Sequence, residues 1–150
     1  MKNIRVVDLT SVLSGPFCTW LLSTLGAEVI KVESPKGDLA RGTPPFENGV
    51  SLYFASLNRN KRSIVLDLKS EEGRHALQRL LETADILVEN MRPGVRDRLG
   101  CSDDDLKKIN PNLICASISG FGQKGSLSKR PAYDIVVQAM SGMMSVNGPL

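Results

Sequence analysis

The chain has 150 residues, of which 41% are hydrophobic and 23% charged, and a formal net charge of +3. That is enough chain for one domain with its own core, and the charge is too mild and dispersed to argue for a nucleic-acid partner. No apolar run has the length of a membrane span. Met1-Lys2-Asn3-Ile4-Arg5 passes straight into a strand pattern, without the apolar core and small-residue cleavage site of a secretory leader. The cysteines Cys18, Cys101 and Cys115 are odd in number and lack CxxC spacing. They argue against a disulfide framework and a zinc site, and a reducing cytoplasm is the natural setting.

Strand and helix signals alternate along the chain. Ile4–Leu9 predicts a first strand. Gly15-Pro16 opens a helix that carries Trp20, Leu21, Leu22 and Leu25 and ends at Gly26. Glu28–Glu33 is the second strand, and a Gly/Pro-rich loop runs from Ser34 to about Gly49. Ser51–Leu57 predicts a helix, and Ser63–Leu68 a third strand with a β-branched centre. Ser70 caps the next helix, with Glu71 and Glu72 in its first turn and Leu77, Leu80, Leu81 and Ala84 on one face. Asp85–Val88 is the fourth strand. Ser102-Asp103-Asp104-Asp105 has the form of a capping box, and Asn110-Pro111 stops the helix that follows. Leu113–Ile118 is the fifth strand, Gly120–Pro131 a polar loop, and Tyr133 to about Met144 a last helix. Alternation of this kind predicts an α/β, Rossmann-like parallel sheet flanked by helices, with right-handed crossovers.

The motifs narrow the chemistry. The chain has neither GxGxxG after its first strand nor GxxxxGK[ST] anywhere, so nicotinamide and P-loop nucleotides lose their main sequence support. His75, the only histidine, sits beside the apolar stripe of a capped helix and reads as a solvated or rim residue. No His/Cys/Asp cluster has metal spacing. The basic run Asn58-Arg59-Asn60-Lys61-Arg62 lies on the N-terminal side of the third strand, where a solvated face is at least as good a reading as phosphate binding. In an open α/β sheet, ligands bind at the C-terminal ends of the strands. The loop Glu33–Gly42 belongs there, as do Lys69 after the third strand and Asn90, Arg92 and Arg98 after the fourth. Tyr133 and Asp134, beyond the loop after the fifth strand, complete one rim. The segment from Glu89 to Gly100 is the most informative: a strand end, a Pro93-Gly94 break and a short basic helix, suited to an anionic ligand.

Five ordered blocks also carry a resemblance. "VVDLTSVLSGPFCTWLLSTLGAEVIKVESPKGD", "SLYFASLNRNKRSIVLDLKSEEGR", "ADILVENMRPGVRDRLG", "NPNLICASISGFGQKG" and "RPAYDIVVQAMSGMMSVNG" resemble, in the right order, the N-terminal part of family III CoA-transferases, the CaiB/BaiF group. The resemblance implies that residues 1–150 are the CoA-binding, incomplete N-terminal part of that family's large domain. It also implies that coenzyme A or an acyl-CoA lies across the C-terminal rim, with no metal. Val12 and Leu13 match positions near the pantetheine end. Leu66 and Lys69 match cofactor contacts around the end of the third strand, Asn90, Met91 and Arg92 the contact segment after the fourth, and Arg98 a basic contact beyond it. Arg41 is a looser candidate for the nucleotide phosphates, and Met91 with Leu66 would offer an apolar slot for adenine. Tyr133 belongs to the substrate pocket wall.

The activity implied is transfer of CoA between carboxylic acids through an aspartyl anhydride and an aspartyl-CoA thioester. The family's nucleophilic aspartate falls beyond Leu150, so no residue here is assigned as catalytic and Asp134 is not promoted in its place. The family's second domain, and the segments that build a dimer of interlocked rings, are likewise expected outside these residues, so this chain alone is expected to be inactive. Racemase relatives carry a catalytic histidine where this chain has Tyr133, whose unperturbed pKa of about 10 suits proton exchange poorly. Pro131 stands where some oxalate-using relatives have a basic residue, so the acceptor acid stays open. Three alternatives remain: a non-catalytic CoA-binding fragment or remnant, an acyl-CoA racemase-type member, and a generic dinucleotide-binding dehydrogenase domain resting on βαβ alternation alone.

Overall fold

The computed structural model describes residues 1–148. In chain order the elements are β1 (Arg5–Asp8), α1 (Ser14–Thr24), β2 (Glu28–Glu33), a 3-10 turn (Leu39–Gly42), the short strands β3 (Phe46–Glu47) and β4 (Val50–Ser51), α2 (Leu52–Asn58) and β5 (Lys61–Val65). They continue with α3 (Glu71–Leu81), β6 (Ile86–Glu89), α4 (Val95–Arg98), α5 (Asp103–Ile109), β7 (Ile114–Ser117), α6 (Asp134–Met140) and a 3-10 turn (Met143–Ser145). Five strands form one parallel sheet in the order β5-β2-β1-β6-β7, while β3 and β4 pair as a separate antiparallel hairpin. The chain builds outward from β1 to β5, then returns to the other side of β1. Connections at the C-terminal ends of β1 and β6 therefore diverge, which opens a crevice between them.

Local chemistry fixes the helix ends. Gly26 has φ 95, its N–H donates to Ser23 O, and the Ala27 N–H donates to Leu22 O. These two bonds make a Schellman cap that turns the chain from α1 into β2. In α5 the Ser102 hydroxyl accepts from the Asp105 N–H while the Asp105 carboxylate accepts from the Ser102 N–H, completing the capping box. Ser70 caps α3 by accepting from the Gly73 N–H.

Three boundaries depart from the sequence reading. The third core strand is Lys61–Val65, not Ser63–Leu68, because its register is set by β2: Val29 pairs with Lys61 and Glu33 with Val65, and β2 ends there. The loop after β2 is partly ordered by the 3-10 turn and the small hairpin. The last helix stops at Met140, since Gly142 turns left-handed at φ 78 before the final 3-10 turn.

The sheet has two unlike faces. On one, Val7, Leu9, Val32 and Leu87 pack beneath Leu77 and Leu81 of α3 and Leu106 of α5. On the other, Val6, Ala27, Val29 and Val88 form a smaller apolar cluster with Cys18 and Leu22 of α1. That second face turns polar toward the C-terminal ends of its strands, where Asp8, Lys31 and Glu33 are all buried. Phe17, Leu21 and Leu25 lie on the outer side of α1 and are exposed, as are Ile135, Val137 and Met140 of α6.

Gly73 is a test of this packing. Alanine in a helix interior is ordinarily favoured over glycine by about 1 kcal/mol, but a Cβ at Gly73 would lie 2.0 Å from the Asp67 carbonyl oxygen. Gly73→Ala is expected to lower the thermal midpoint, and an unchanged or raised midpoint would contradict the close approach of α3 to the turn before it.

Candidate functional site

Among the described residues, clefts open at opposite ends of the sheet. One, about 470 Å³, lies at the N-terminal ends of the strands among Asn3, Arg5, Glu28 and Asp85. The other, about 430 Å³, lies at the C-terminal ends of β6 and β7 and is lined by Glu89, Arg92, Gly94, Arg96, Cys115, Ser117 and Lys124, among others. Size does not separate them, but topology does: in a parallel sheet the diverging connections and the loop side chains are at the C-terminal ends.

The turn after β1 is the best-tethered part of this rim. Asp8 Oδ1 accepts from the Thr10 N–H at 2.9 Å and from its hydroxyl at 2.5 Å. The Lys31 ammonium donates to Thr10 O at 2.8 Å and forms an ion pair with Asp38 Oδ2, also at 2.8 Å. Asn90, at the end of β6, accepts from the Ser11 N–H at 2.9 Å and donates to Ser11 O at 2.8 Å, so it bridges the crevice between β1 and β6. Asp38 Oδ1 accepts from the Val12 N–H at 3.2 Å and from the Ala40 N–H at 2.9 Å. Val12 itself has φ 69, a left-handed conformation that β-branched residues rarely adopt. The N-cap of α1, Leu13, provides no side-chain hydrogen bond.

A second ionic centre underlies α1. The Lys61 ammonium donates to Asp8 Oδ2 (3.1 Å), Pro16 O (2.9 Å), Thr19 Oγ1 (2.8 Å) and Asn58 Oδ1 (2.9 Å). Burial pushes its pKa below the ordinary lysine value, and Asp8 opposes that shift. Here the sequence reading needs correcting: Lys61 and Arg62 are part of the strand, and Lys61 points under α1 and is not on a solvated face. Gly15 is required there, since a Cβ would lie 2.3 Å from Thr10 Cβ.

The other candidates distribute along the rim. Arg41 is held by both oxygens of Glu33, each at 2.7 Å, and stacks 3.8 Å above the Phe54 ring. The Arg41 guanidinium holds the Glu33 carboxyl down to about 2, helped by the Ser63 hydroxyl and the Asp38 N–H and opposed by burial. Leu66 and Met91 are partly buried against the same apolar cluster. Lys69 and Arg98 are exposed. Arg92 lines the C-terminal cleft, while Leu66, Lys69 and Arg98 lie outside it. Tyr133 is 71% exposed at the start of α6. A Cβ on Gly120 would lie 1.9 Å from that of Ala132, so the loop after β7 closes on itself and brings Tyr133 back near that strand's end. Val12 and Asn90 are thus joined through Ser11, and Leu66 and Met91 pack against one apolar cluster.

Sequence reasoning did not single out Lys31 or Lys124, and it took Asp38 and Arg96 only as parts of the rim segments Glu33–Gly42 and Glu89–Gly100. Asp38 had a signal, a carboxylate in the turn after a strand, and Lys31 had one in its charge within an apolar run. His75 is exposed and 4.0 Å from Glu71, as a rim histidine should be. Burial pushes the Cys101 thiol up to about 11, a poor nucleophile. Among the described residues no group of His, Cys, Asp and Glu is arranged to hold a metal.

Two outcomes test this geometry. Val12→Gly removes the left-handed penalty of about 1–2 kcal/mol, offset in part by the burial that Val12, 40% exposed, gives up and by the freer unfolded chain. Urea unfolding should therefore show a gain of about 1 kcal/mol. Glu33 ionises more readily folded than unfolded, so its contribution is present above the ordinary glutamate value of 4.5 and is lost as pH falls toward about 2. The urea midpoint should drop over that range, and Glu33→Gln should flatten the drop.

The family model for CoA-transferase family III matches residues 1–150. The chain is 54% identical over 147 residues to an acetyl-CoA:oxalate CoA-transferase of Acetobacter aceti, covering 97% of this chain and 38% of that protein. It is 44% identical over 157 residues to a succinyl-CoA:mesaconate CoA-transferase of Haloarcula hispanica, with 99% and 40% covered. A formyl-CoA:oxalate CoA-transferase of Streptomyces coelicolor is 48% identical over 149 residues, with 99% and 36% covered. A CAIB/BAIF family protein from Brucella suis superposes with a TM-score of 0.93 at 43% identity, over 98% of this chain and 40% of that one. The chain thus spans well under half the length of these relatives. By sequence and by fold it belongs to CoA-transferase family III.

Proposed function

We propose that this chain is the CoA-binding part of an acyl-CoA:carboxylate CoA-transferase whose remaining residues, including the nucleophile, lie beyond Leu150. The observation that carries the reading is the tethered crevice at the strand-order switch: Asn90 of one βα connection holds Ser11 of the other, next to the strained Val12. Family membership over all the residues supports a thioester as the ligand there.

In this reading the pantetheine arm enters the crevice and the acyl thioester lies against Val12 and Leu13. Leu66 and Met91 flank the adenine. Lys69, Arg92 and Arg98 supply charge-assisted hydrogen bonds to the phosphates. Arg41 contributes less, because Glu33 already neutralises it. Asn90 acts through Ser11, and Tyr133 forms part of the acid pocket.

An aspartate carboxylate attacks the donor thioester carbonyl, and the tetrahedral oxyanion collapses with loss of CoA thiolate to leave an acyl-aspartyl anhydride. The thiolate attacks the aspartyl carbonyl and releases the donor acid, giving an aspartyl-CoA thioester. The acceptor carboxylate then expels thiolate to form a second anhydride. Attack of thiolate on its acyl carbonyl releases the new acyl-CoA and regenerates the aspartate. Backbone N–H groups stabilise each oxyanion. The working enzyme is a cytoplasmic homodimer of interlocked chains.

Calorimetry with CoA and transfer from acetyl-CoA or succinyl-CoA to a panel of mono- and dicarboxylates test this on the full-length protein. Binding and transfer are expected, and absence of CoA binding would overturn the reading. Lys69→Ala and Arg98→Ala should each raise the KM for acyl-CoA about tenfold with kcat little changed, as befits loss of a charged hydrogen bond remote from the reacting atoms.

A further inference from the structure

Every backbone polar group from the Thr10 N–H to the Val12 N–H is held by a side chain. Asp8 takes the Thr10 N–H, Lys31 the Thr10 carbonyl, Asn90 both groups of Ser11, and Asp38 the Val12 N–H. Asp8, Lys31 and Asp38 are buried, with relative exposures of 0%, 1% and 6%. Among the described residues, the Lys31 ammonium is the only partner of Asp38 Oδ2, 2.8 Å away.

Stability alone explains this poorly. A buried ion pair is a weak source of stability compared with apolar residues of the same volume. A valine in the left-handed region costs more than a glycine would, and such strain persists only where the surroundings over-determine it. Both features make sense if what matters is where the turn sits.

We propose that Asp38, itself fixed by Lys31, is a positioning residue for CoA transfer: its hydrogen bond to the Val12 N–H sets the turn against which the acyl thioester lies. The role rests on the transferase reading above. It predicts that turnover follows the presence of an acceptor for the Val12 N–H, and follows neither charge nor global stability. CoA affinity should hardly move, because the nucleotide end is bound elsewhere on the rim.

The test uses the full-length protein and the donor and acceptor acids it turns over. Removing both charges together avoids leaving one ion buried alone. Lys31→Met/Asp38→Asn keeps an amide oxygen for the Val12 N–H, and Lys31→Met/Asp38→Ala does not. The two variants share the loss of Lys31, and the alanine variant should fall about 100-fold below the asparagine variant in kcat, the scale of a 1 Å misplacement. Acyl-CoA KM should stay within about twofold in both. Equal kcat values for the two would overturn the proposal. Should the alanine variant not fold, amide exchange decides with the asparagine variant alone. A protected Val12 N–H with retained kcat supports the role, and a protected Val12 N–H with kcat lost overturns it. A parent that transfers CoA in either case leaves the transferase reading intact, while a parent that transfers none overturns both.

Discussion

The charge layer beneath α1 is the constraint on which the rest of the rim depends. Asp8, Lys31, Asp38 and Lys61 are buried where the second face of the sheet would otherwise be apolar. Taking such charges out of water is costly, and their mutual attraction repays it only where the remaining lone pairs and protons are satisfied. Here they are satisfied mostly by backbone: the Thr10 and Pro16 carbonyls, and the Thr10, Val12 and Ala40 amides. The same bonds that neutralise the charges therefore fix the turn after β1 and the start of α1. Removing a single partner would strand the other ion, at a cost of about 3–5 kcal/mol.

The topology gives that turn its importance. β1 is the central strand, and the chain leaves it on one side and returns on the other. A crevice at such a reversal is a consequence of connection geometry and does not depend on any one residue. Its width and shape do depend on residues, and Asn90 bonds to both backbone groups of Ser11 across it. Asn90 thereby occupies its amide with the protein itself.

Most of the fold was legible because its signals are local. The capping box at Ser102, the glycine stop at Gly26 and the Leu77/Leu81 stripe each follow from a few adjacent residues, and each is where the sequence puts it. The third core strand was displaced because Ile64-Val65-Leu66 is its most apolar stretch, whereas its true span is dictated by the register of β2, which no local window contains. Lys61 was misplaced for the same reason: a lysine in a basic run looks solvated unless Asp8, 53 residues earlier, is known to be beneath it. The rim as a whole was legible from strand ends. Which residues on it hold others in place, above all Lys31 and Asp38, depends on contacts between segments and was not.

The Ser11–Asn90 bridge has a consequence for folding order. Its partners are 79 residues apart in sequence, so closing it carries a loop-closure cost that no local contact offsets. The first βα unit and β2 can assemble from nearby contacts, but the crevice cannot exist until β6 has docked beside β1. Parallel pairings of such long range form late and slowly. A ligand that needs this crevice therefore binds only chains that have completed the central sheet, and by mass action it draws the population toward them.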